Sequence, residues 1–213
     1  MSTEKLFWID PYLTETVAEI TTVNLNKITL NRTVAYAVSG GQDSDSGTIG
    51  GYEILAAERQ GNEIVYAISP KHNLAVGENV IVKIDWEKRY CLMKLHFAAE
   101  LVLELVYQNY DRPNKIGANI TKDKARVDFE WHGNISEIFP FLQKKIIELV
   151  QGNFEIISDY IDEANQKRFW EITGFAKVPC GGTHLKRTGE IGELCLKRKN
   201  IGAGKERIEI TLA

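Results

Sequence analysis

The sequence has few cysteines and no long hydrophobic run, and each absence narrows the class of protein. The 213 residues include three cysteines and five prolines. An odd number of widely spaced cysteines does not suit a disulfide framework, so we expect a reducing compartment. No stretch approaches the roughly 18 apolar residues of a membrane span, and the N-terminus lacks a basic segment before an apolar run. The sequence therefore predicts a soluble, cytoplasmic protein without a membrane partner.

An excess of positive charge is also missing. The formal net charge is -3 at pH 7, which argues against indiscriminate binding to nucleic acid, and we expect no DNA partner. Basic residues are nevertheless dense near the C-terminus, where they either contact RNA phosphates or are solvated strand residues with nothing to bind. The candidates for RNA contact are Lys186, Arg187, Lys197, Lys199, Lys205 and Arg207.

The first part of the chain predicts a small all-β domain. Short segments rich in Val, Ile and Thr are separated by Asn, Gly and Pro. The predicted strands are 17–23, 27–30, 33–38, 48–57, 63–68 and 79–84. Six short strands suit a small barrel, because closure removes exposed sheet edges. We therefore expect a β-barrel-like domain over residues 1–84 that carries a glycine-rich loop at residues 39–47.

The remainder, residues 85–213, predicts a mixed domain. Apolar residues recur at helical spacing over residues 86–110, which indicates a long and mostly buried helix. A second helix is predicted at 134–150, a polar helix or loop at 160–170, and strands at 115–120, 124–130, 154–158, 190–198 and 205–212. The expected fold is α+β, in which an antiparallel-type sheet is covered by the two longer helices.

Two pairs of metal-binding side chains occur at four-residue spacing. His96 and Glu100 lie one turn apart on one face of the predicted helix. Cys180 and His184 form a C-x-x-x-H motif, with two glycines between them that allow a tight loop. Separately, a histidine on such a helix is more often a core residue, and a glutamate is more often solvated. Together they offer N, O, S and N donors, all of which zinc accepts, and so predict one zinc ion per chain.

Four stretches match, in order, the motifs of one known family. Residues 39–47, SGGQDSDSG, are similar to a glycine-rich segment, and residues 85–100, DWEKRYCLMKLHFAAE, to a helix with the pattern R-x-x-x-M-x-x-H-x-x-x-H. Residues 180–191, CGGTHLKRTGEI, resemble a C-terminal zinc motif, and residues 202–210, GAGKERIEI, a closing strand. The family is that of alanyl-tRNA editing domains, which occur within alanyl-tRNA synthetases and as freestanding proteins. The resemblance covers nearly the whole chain.

The chain departs from these motifs at several positions. The family's helix normally has a second histidine where this chain has Glu100, and usually threonine where it has Phe97. The glycine-rich segment has Ser39 in place of a third glycine and Asp43 in place of proline. Three interpretations of Glu100 follow: a carboxylate ligand of zinc, a base beside a three-ligand zinc with an open position, or the sign of a lost metal site.

The resemblance implies a trans-editing hydrolase that serves translation fidelity. Such an enzyme cleaves the ester between an amino acid and the 3′-terminal ribose of mischarged tRNA(Ala), chiefly Ser-tRNA(Ala), with Gly-tRNA(Ala) as a second substrate. An alanine pocket rejects serine by only about a hundredfold, so a separate zinc-dependent deacylase supplies the missing discrimination. The predicted catalytic residues are Gln42, whose counterpart in the family lies at the editing pocket, and Glu100, in the interpretation that makes it a base. The expected substrate-binding residues are Ser39, Gly40, Gly41, Gln42, Gly181, Gly182 and Thr183.

Two other functions remain open from the sequence. The chain could be an RNA-binding module of the same family that has lost its metal through the change at Glu100. It could also be a metal-dependent hydrolase of small aminoacyl esters. Bound zinc with metal-dependent turnover separates the first alternative from editing, and activity without tRNA identifies the second.

Overall fold

The computed structural model describes residues 2–213, which form two compact units. The first unit comprises the chain up to Ser39 together with Asp43–Tyr90, and the second comprises Gly40–Gln42 and Cys91–Ala213. Within residues 2–213, every helix is too short or too polar to cross a membrane.

The first unit is built almost entirely of strands. Its elements are β1 Glu4–Lys5, α1 Leu6–Ile9, β2 Glu15–Asn24, β3 Lys27–Leu30, β4 Arg32–Thr33, β5 Gly47–Ile49, β6 Tyr52–Gln60, β7 Glu63–Ile68 and β8 Asn79–Ile84. Six strands pair in the closed order β2-β3-β7-β6-β5-β8, and every neighbouring pair is antiparallel. Strands β1 and β4 form a separate parallel pair.

Alternating burial explains why these segments form the barrel. In β7, Ile64, Tyr66 and Ile68 are buried, and the residues between them are less so, as expected for a strand with one face in a core. The single strand predicted over residues 48–57 is wrong, because Gly50 and Gly51 break it into β5 and β6. Both glycines have left-handed backbone angles, with φ of 58° and 83°, which a glycine adopts without strain.

Most of the strand that was predicted over residues 33–38 is absent, and a buried ion pair binds the backbone of this segment instead. Arg89 and Asp45 are fully buried and bonded to each other. The Nη2 of Arg89 also donates to the carbonyl of Val34 at 2.6 Å, and the backbone N–H of Tyr36 donates to Asp45 Oδ2 at 2.6 Å. Two charged side chains therefore bind backbone groups that a sheet would otherwise bind. Asp45 thereby anchors its loop.

We predict that Arg89→Met lowers the free energy of unfolding by about 3–5 kcal/mol, because Asp45 would remain buried without its partner. The matched control is Arg32→Met, since the side chains of Arg32 and Glu4 pair at 3.5 Å with 48% and 51% exposed. The control should lose about 1 kcal/mol or less. Urea unfolding measures both. Equal losses in the two variants would contradict the prediction.

The second unit is mixed. Helix α2, Trp86–Asn109, begins in the first unit and continues into the second. The elements that follow it are β9 Lys115–Ile120, β10 Ala125–Glu130, a 3₁₀ turn Ile135–Ile138, α3 Phe139–Gly152, β11 Ile157–Asp162, β12 Lys167–Ile172, β13 Ala176–Pro179, a 3₁₀ turn Thr188–Ile191, β14 Leu194–Gly202 and β15 Lys205–Leu212. The strands form two antiparallel sheets, ordered β14-β15-β10-β9 and β11-β12-β13. The predicted α+β class is confirmed.

The polar helix or loop predicted over residues 160–170 is wrong, because β11 and β12 form a hairpin there. Phe169 and Trp170 are buried, and Asn165 donates to both carboxylate oxygens of Asp162 to close the turn. The strand predicted at 154–158 begins only at Ile157, and β13 was not predicted. The second helix is preceded by a 3₁₀ turn, and it ends at Gly152, where the following Asn153 has a left-handed φ of 46°.

Helix α2 is the most buried element of the second unit, as its apolar periodicity predicted. Seven of its large apolar side chains have no exposed surface: Leu92, Met93, Leu95, Phe97, Leu101, Val102 and Val106. Burying each such side chain contributes about 1.5–3 kcal/mol. The polar residues His96 and Glu100 are therefore carried on a backbone that cannot shift without disturbing the core.

Candidate metal centre

Three of the predicted metal-binding side chains meet at one point. Sγ of Cys180 lies 3.3 Å from Nε2 of His96 and 3.3 Å from Nε2 of His184. One donor atom from each residue lies within 4.8 Å of the others. Helix α2 supplies His96, and the loop after β13 supplies the other two. Cys180 is 84 positions from His96 in the sequence, yet their donor atoms are close enough to share one ion.

The loop after β13 is held by the three-stranded sheet. The backbone N–H of Cys180 donates to the carbonyl of Arg168 on β12 at 2.9 Å, so the loop starts at a fixed position. Nδ1 of His184 lies 3.0 Å from the hydroxyl of Ser158 on β11. A hydrogen bond at Nδ1 orients the imidazole and leaves Nε2 directed at Cys180. Sequence reasoning missed Ser158, because a serine in a polar strand carries no local signal of this contact.

Gly182 lets the loop lie directly against the ring of His96. A Cβ at this position would be 2.5 Å from His96 Cε1, closer than such atoms approach, and 3.0 Å from Oε1 of Gln42, which is a tight contact. Any side chain here would displace the imidazole or the loop. The C-G-G-T-H sequence is thus explained by packing as well as by flexibility.

The segment 40–42 reaches the same loop. The carbonyl of Gly41 accepts from the N–H of Ile120 at 2.7 Å, and Gln42 is fully buried. The Nε2 of Gln42 donates to the hydroxyl of Thr183 at 3.0 Å. The amide of Gln42 thereby fixes Thr183, the residue that precedes His184.

The other predicted substrate-binding residues lie at the surface. Gly40 and Gly181 are exposed in the second unit. Ser39 is exposed in the first unit, where its carbonyl accepts from the hydroxyl of Tyr36 at 3.4 Å. Of the predicted substrate residues, the structure thus groups Gln42, Gly182 and Thr183 around His96, Cys180 and His184.

Glu100 lies beside the three donors. Its Oε1 is 3.7 Å from Nε2 of His96 and 3.7 Å from Sγ of Cys180. Its Oε2 accepts a hydrogen bond from the indole Nε1 of Trp170 at 3.2 Å. Trp170 is fully buried, and nothing in the sequence indicated this contact.

Burial sets the protonation of the centre. It lowers the pKa of His96 and lowers that of His184 further, so both imidazoles are neutral near pH 7. Burial, and then the charge of Glu100, raise the pKa of the Cys180 thiol well above its usual range, which a nearby cation would reverse. One sulfur and two neutral imidazoles are donors that zinc accepts, so these residues fit that ion. Nδ1 of His96 is buried without a hydrogen-bond partner among residues 2–213.

The predicted RNA-contacting residues fall in two places. Lys197, Lys199 and Arg207 are on one face of the four-stranded sheet, where Lys199 and Arg207 are direct cross-strand partners. Arg207 is also bonded to Asp128, at 2.7 and 2.9 Å, while both lysines are exposed. Lys205 is exposed at the start of β15.

Lys186 and Arg187 are exposed in the loop that follows His184. The Nη1 of Arg187 donates to the carbonyl of Asn153 at 2.9 Å. This side chain therefore has a structural partner at the end of α3, whatever else it contacts.

Comparisons with known proteins first indicate a class. Residues 168–209, which include β13 and the Cys180–His184 loop, match a family model described as "Threonyl and Alanyl tRNA synthetase second additional domain". The matched segment is thus similar to a domain type named for aminoacyl-tRNA synthetases.

Full-length relatives identify the family. The chain is 32% identical to the "Alanyl-tRNA editing protein AlaX-M" of Pyrococcus horikoshii, over 99% of this chain and 98% of the relative. It is 30% identical to the protein of the same name in Saccharolobus solfataricus, over 99% of each. It is also 29% identical to the "Alanine--tRNA ligase" of Methanococcus aeolicus, of which it spans 25%. The chain belongs to the alanyl-tRNA editing protein family, and the resemblance inferred from its motifs is confirmed.

We predict that Gly182→Ala lowers the free energy of unfolding of the metal-free protein by about 1–3 kcal/mol, since the new Cβ would overlap the His96 ring. The control is Gly117→Ala, where the nearest atom is a terminal oxygen of Asp128 at 3.3 Å. A shift of a few tenths of an ångström relieves this contact, whereas the overlap at Gly182 is much larger, so the control should lose less. Urea unfolding in the presence of a chelator measures both. A Gly182→Ala protein as stable as the control would show that the loop is free to shift.

Proposed function

We propose that this protein hydrolyses the aminoacyl ester of mischarged tRNA(Ala), with Ser-tRNA(Ala) as the main substrate and Gly-tRNA(Ala) as a second one. The supporting observation is the convergence of His96, Cys180 and His184 in a chain whose relatives are named alanyl-tRNA editing proteins. An aminoacyl ester is already activated, so the site has mainly to position the substrate and a water and to stabilise the developing oxyanion.

The proposal includes one zinc ion per chain. His96, Cys180 and His184 would hold it, and Glu100 lies where it can supply an oxygen donor. Bound zinc would orient the substrate and lower the pKa of a water. The rigid backbone of α2 and the sheet-bound loop after β13 fix the donors before substrate arrives, which lowers the cost of reaching the reactive arrangement.

Other residues of the chain would hold the site in place and leave room for the substrate. We propose that Gln42 acts by holding Thr183, because its buried amide is bonded to that hydroxyl. Glycines next to these residues leave the backbone accessible to a substrate. The substrate-binding set proposed here is Ser39, Gly40, Gly41, Gln42, Gly181, Gly182 and Thr183. A hydroxyl or amide partner for the serine side chain of the substrate would come from Ser39 or Gln42.

The central prediction concerns turnover of the purified ester. Wild-type protein with about one zinc per chain should release serine from Ser-tRNA(Ala), and Cys180→Ala and His184→Ala should each reduce the rate at least ~100-fold, because the metal contributes several kcal/mol to such reactions. Chelation should have the same effect, and added zinc should reverse it. Zinc content is measured by mass spectrometry on the same samples.

Matched controls for these variants are Cys195→Ala and His132→Ala, because both residues are exposed. Both should retain zinc and activity. A wild-type protein that binds tRNA, holds no zinc and leaves the ester intact would favour the metal-less RNA-binding module. Hydrolysis of serine methyl ester as efficient as that of Ser-tRNA(Ala) would favour a small-ester hydrolase.

We further propose that tRNA phosphates contact the exposed face of β14 and β15 and the loop after His184. The residues are Lys186, Arg187, Lys197, Lys199, Lys205 and Arg207. Lys197 and Lys199 are the strongest candidates for phosphate contact, because both are exposed and they lie two positions apart on one strand, on the same face of the sheet. Arg207 already shares its charge with Asp128, so its contribution should be smaller.

The double variant Lys197→Gln/Lys199→Gln should weaken tRNA binding and reduce the slope of log affinity against log salt concentration by about 1 for each phosphate that is no longer neutralised. The charge-matched control is Lys27→Gln/Lys71→Gln, which removes two exposed lysines of the first unit. Filter binding over a range of salt concentrations measures both, and zinc content should be unchanged. An equal effect of the two double variants would mean that only net charge matters.

A further inference from the structure

The side chain of Trp170 combines full burial with a single polar contact. Its indole Nε1 donates to Oε2 of Glu100 at 3.2 Å, and the residue has no exposed surface. The other oxygen of Glu100, Oε1, is 3.7 Å from both Nε2 of His96 and Sγ of Cys180. The two carboxylate oxygens thus have different surroundings: one is bonded to the indole and the other faces the metal-binding atoms.

From this geometry we infer that Trp170 is a positioning residue that holds Glu100 as a ligand of the metal centre through Oε1 alone. The inference rests on the zinc site of the proposed function and extends it to the fourth donor. An indole has one N–H and accepts nothing, so it can only fix the carboxylate oxygen that it touches. With Oε2 engaged, the oxygen left for an ion is Oε1.

Trp170 is itself fixed by packing and by strand register. Its ring packs edge to face against the ring of Phe97, with the two centroids 5.0 Å apart. Phe97 lies one helical turn before Glu100 on α2. In the sheet, Trp170 is the direct cross-strand partner of Ser158 on β11 and of Val178 on β13. Direct partners share a face of a sheet.

The pairing of Ser158 with Trp170 gives this sheet face a common role. Ser158 contacts Nδ1 of His184, and Trp170 contacts Oε2 of Glu100. Both contacts are made to the atom that is turned away from Cys180, since Nε2 of His184 and Oε1 of Glu100 are the atoms that lie near its sulfur. One pair of neighbouring strands therefore orients a nitrogen donor from the loop and an oxygen donor from the helix. Contacts of this kind typically change metal affinity 10- to 100-fold when removed.

Electrostatics favours the same arrangement. A thiolate of Cys180 and the carboxylate of Glu100 would be 3.7 Å apart and would repel each other in a buried site. A divalent cation bound by both removes that repulsion, and the charges of the ion and its two anionic donors then sum to zero. A neutral cluster has the lowest cost of burial.

A double-mutant cycle on metal affinity tests the inference without tRNA. The variants are Trp170→Phe, Glu100→Ala and the double variant, titrated with cobalt(II) and with zinc against a chromophoric chelator. Phenylalanine keeps an aromatic ring against Phe97 and removes only the indole donor. Trp170→Phe should lower affinity about 10- to 100-fold. Glu100→Ala should lower it at least as much, and the double variant should bind like Glu100→Ala alone.

The outcomes are distinguishable. If Trp170→Phe costs the same affinity in the Glu100→Ala background, the effect is structural and the inference fails. If Glu100→Ala keeps full affinity for metal but loses turnover, Glu100 is a base and the inference also fails. A chain that binds metal as expected but does not deacylate tRNA would overturn the proposed function and leave this inference intact. Trp131→Phe is the control for loss of an indole elsewhere, and it should leave affinity unchanged.

A second measurement does not depend on a stable Trp170 variant. In ¹⁵N-labelled protein, the indole N–H resonance of Trp170 should lie downfield and exchange slowly, and it should move upfield in Glu100→Ala. In Glu100→His, metal affinity should be retained while this resonance still moves, because a histidine bound to metal cannot accept from the indole in the same way. An indole resonance that is the same in wild type and Glu100→Ala would overturn the inference.

Discussion

The candidate site depends on the close contact between helix α2 and the loop after β13. At Gly182 the loop backbone lies so near the ring of His96 that a single methyl group would not fit. Thr183 is bonded to Gln42, and the next residue, His184, is bonded to Ser158. Neither the helix nor the loop can move far without breaking a buried hydrogen bond or a tight van der Waals contact. The donors are therefore preorganised, which is the usual requirement for a metal site that does chemistry.

Local patterns in the sequence predicted much of the secondary structure. Period-two alternation gave most strands of the first unit, and helical periodicity gave α2 and α3. The hairpin of β11 and β12 was missed because β11 is exposed and polar, so its pattern does not differ from that of a loop. The strand expected at 33–38 failed for the opposite reason. Its apolar pattern is real, but Asp45 and Arg89 take the hydrogen bonds of its backbone.

For the site, the sequence identified side chains better than it identified their supports. Four-residue spacing paired His96 with Glu100 and Cys180 with His184, and the combined donor set, with the family motifs, suggested that the two pairs meet. Ser158 and Trp170 could not be found in this way, because their partners are 26 and 70 positions away and an ordinary strand residue gives no signal. Tertiary contacts between unlike elements are the part of a site that composition and periodicity do not encode.

The pairing of Ser158 with Trp170 makes the geometry of the candidate site sensitive to the alignment of one hairpin. Successive residues of a strand point to opposite faces, so a slip of β11 by one position would turn Ser158 away from His184 while leaving most backbone bonds intact. The irregularity between Tyr160 and Asp162 lies between this pair and the turn, where it sets the count of residues that brings Ser158 opposite Trp170. A misaligned hairpin would yield a chain with native secondary structure in which His184 is no longer held in place. The turn at Asp162 and Asn165 closes this hairpin, so it helps to set the register on which the orientation of His184 and Glu100 depends.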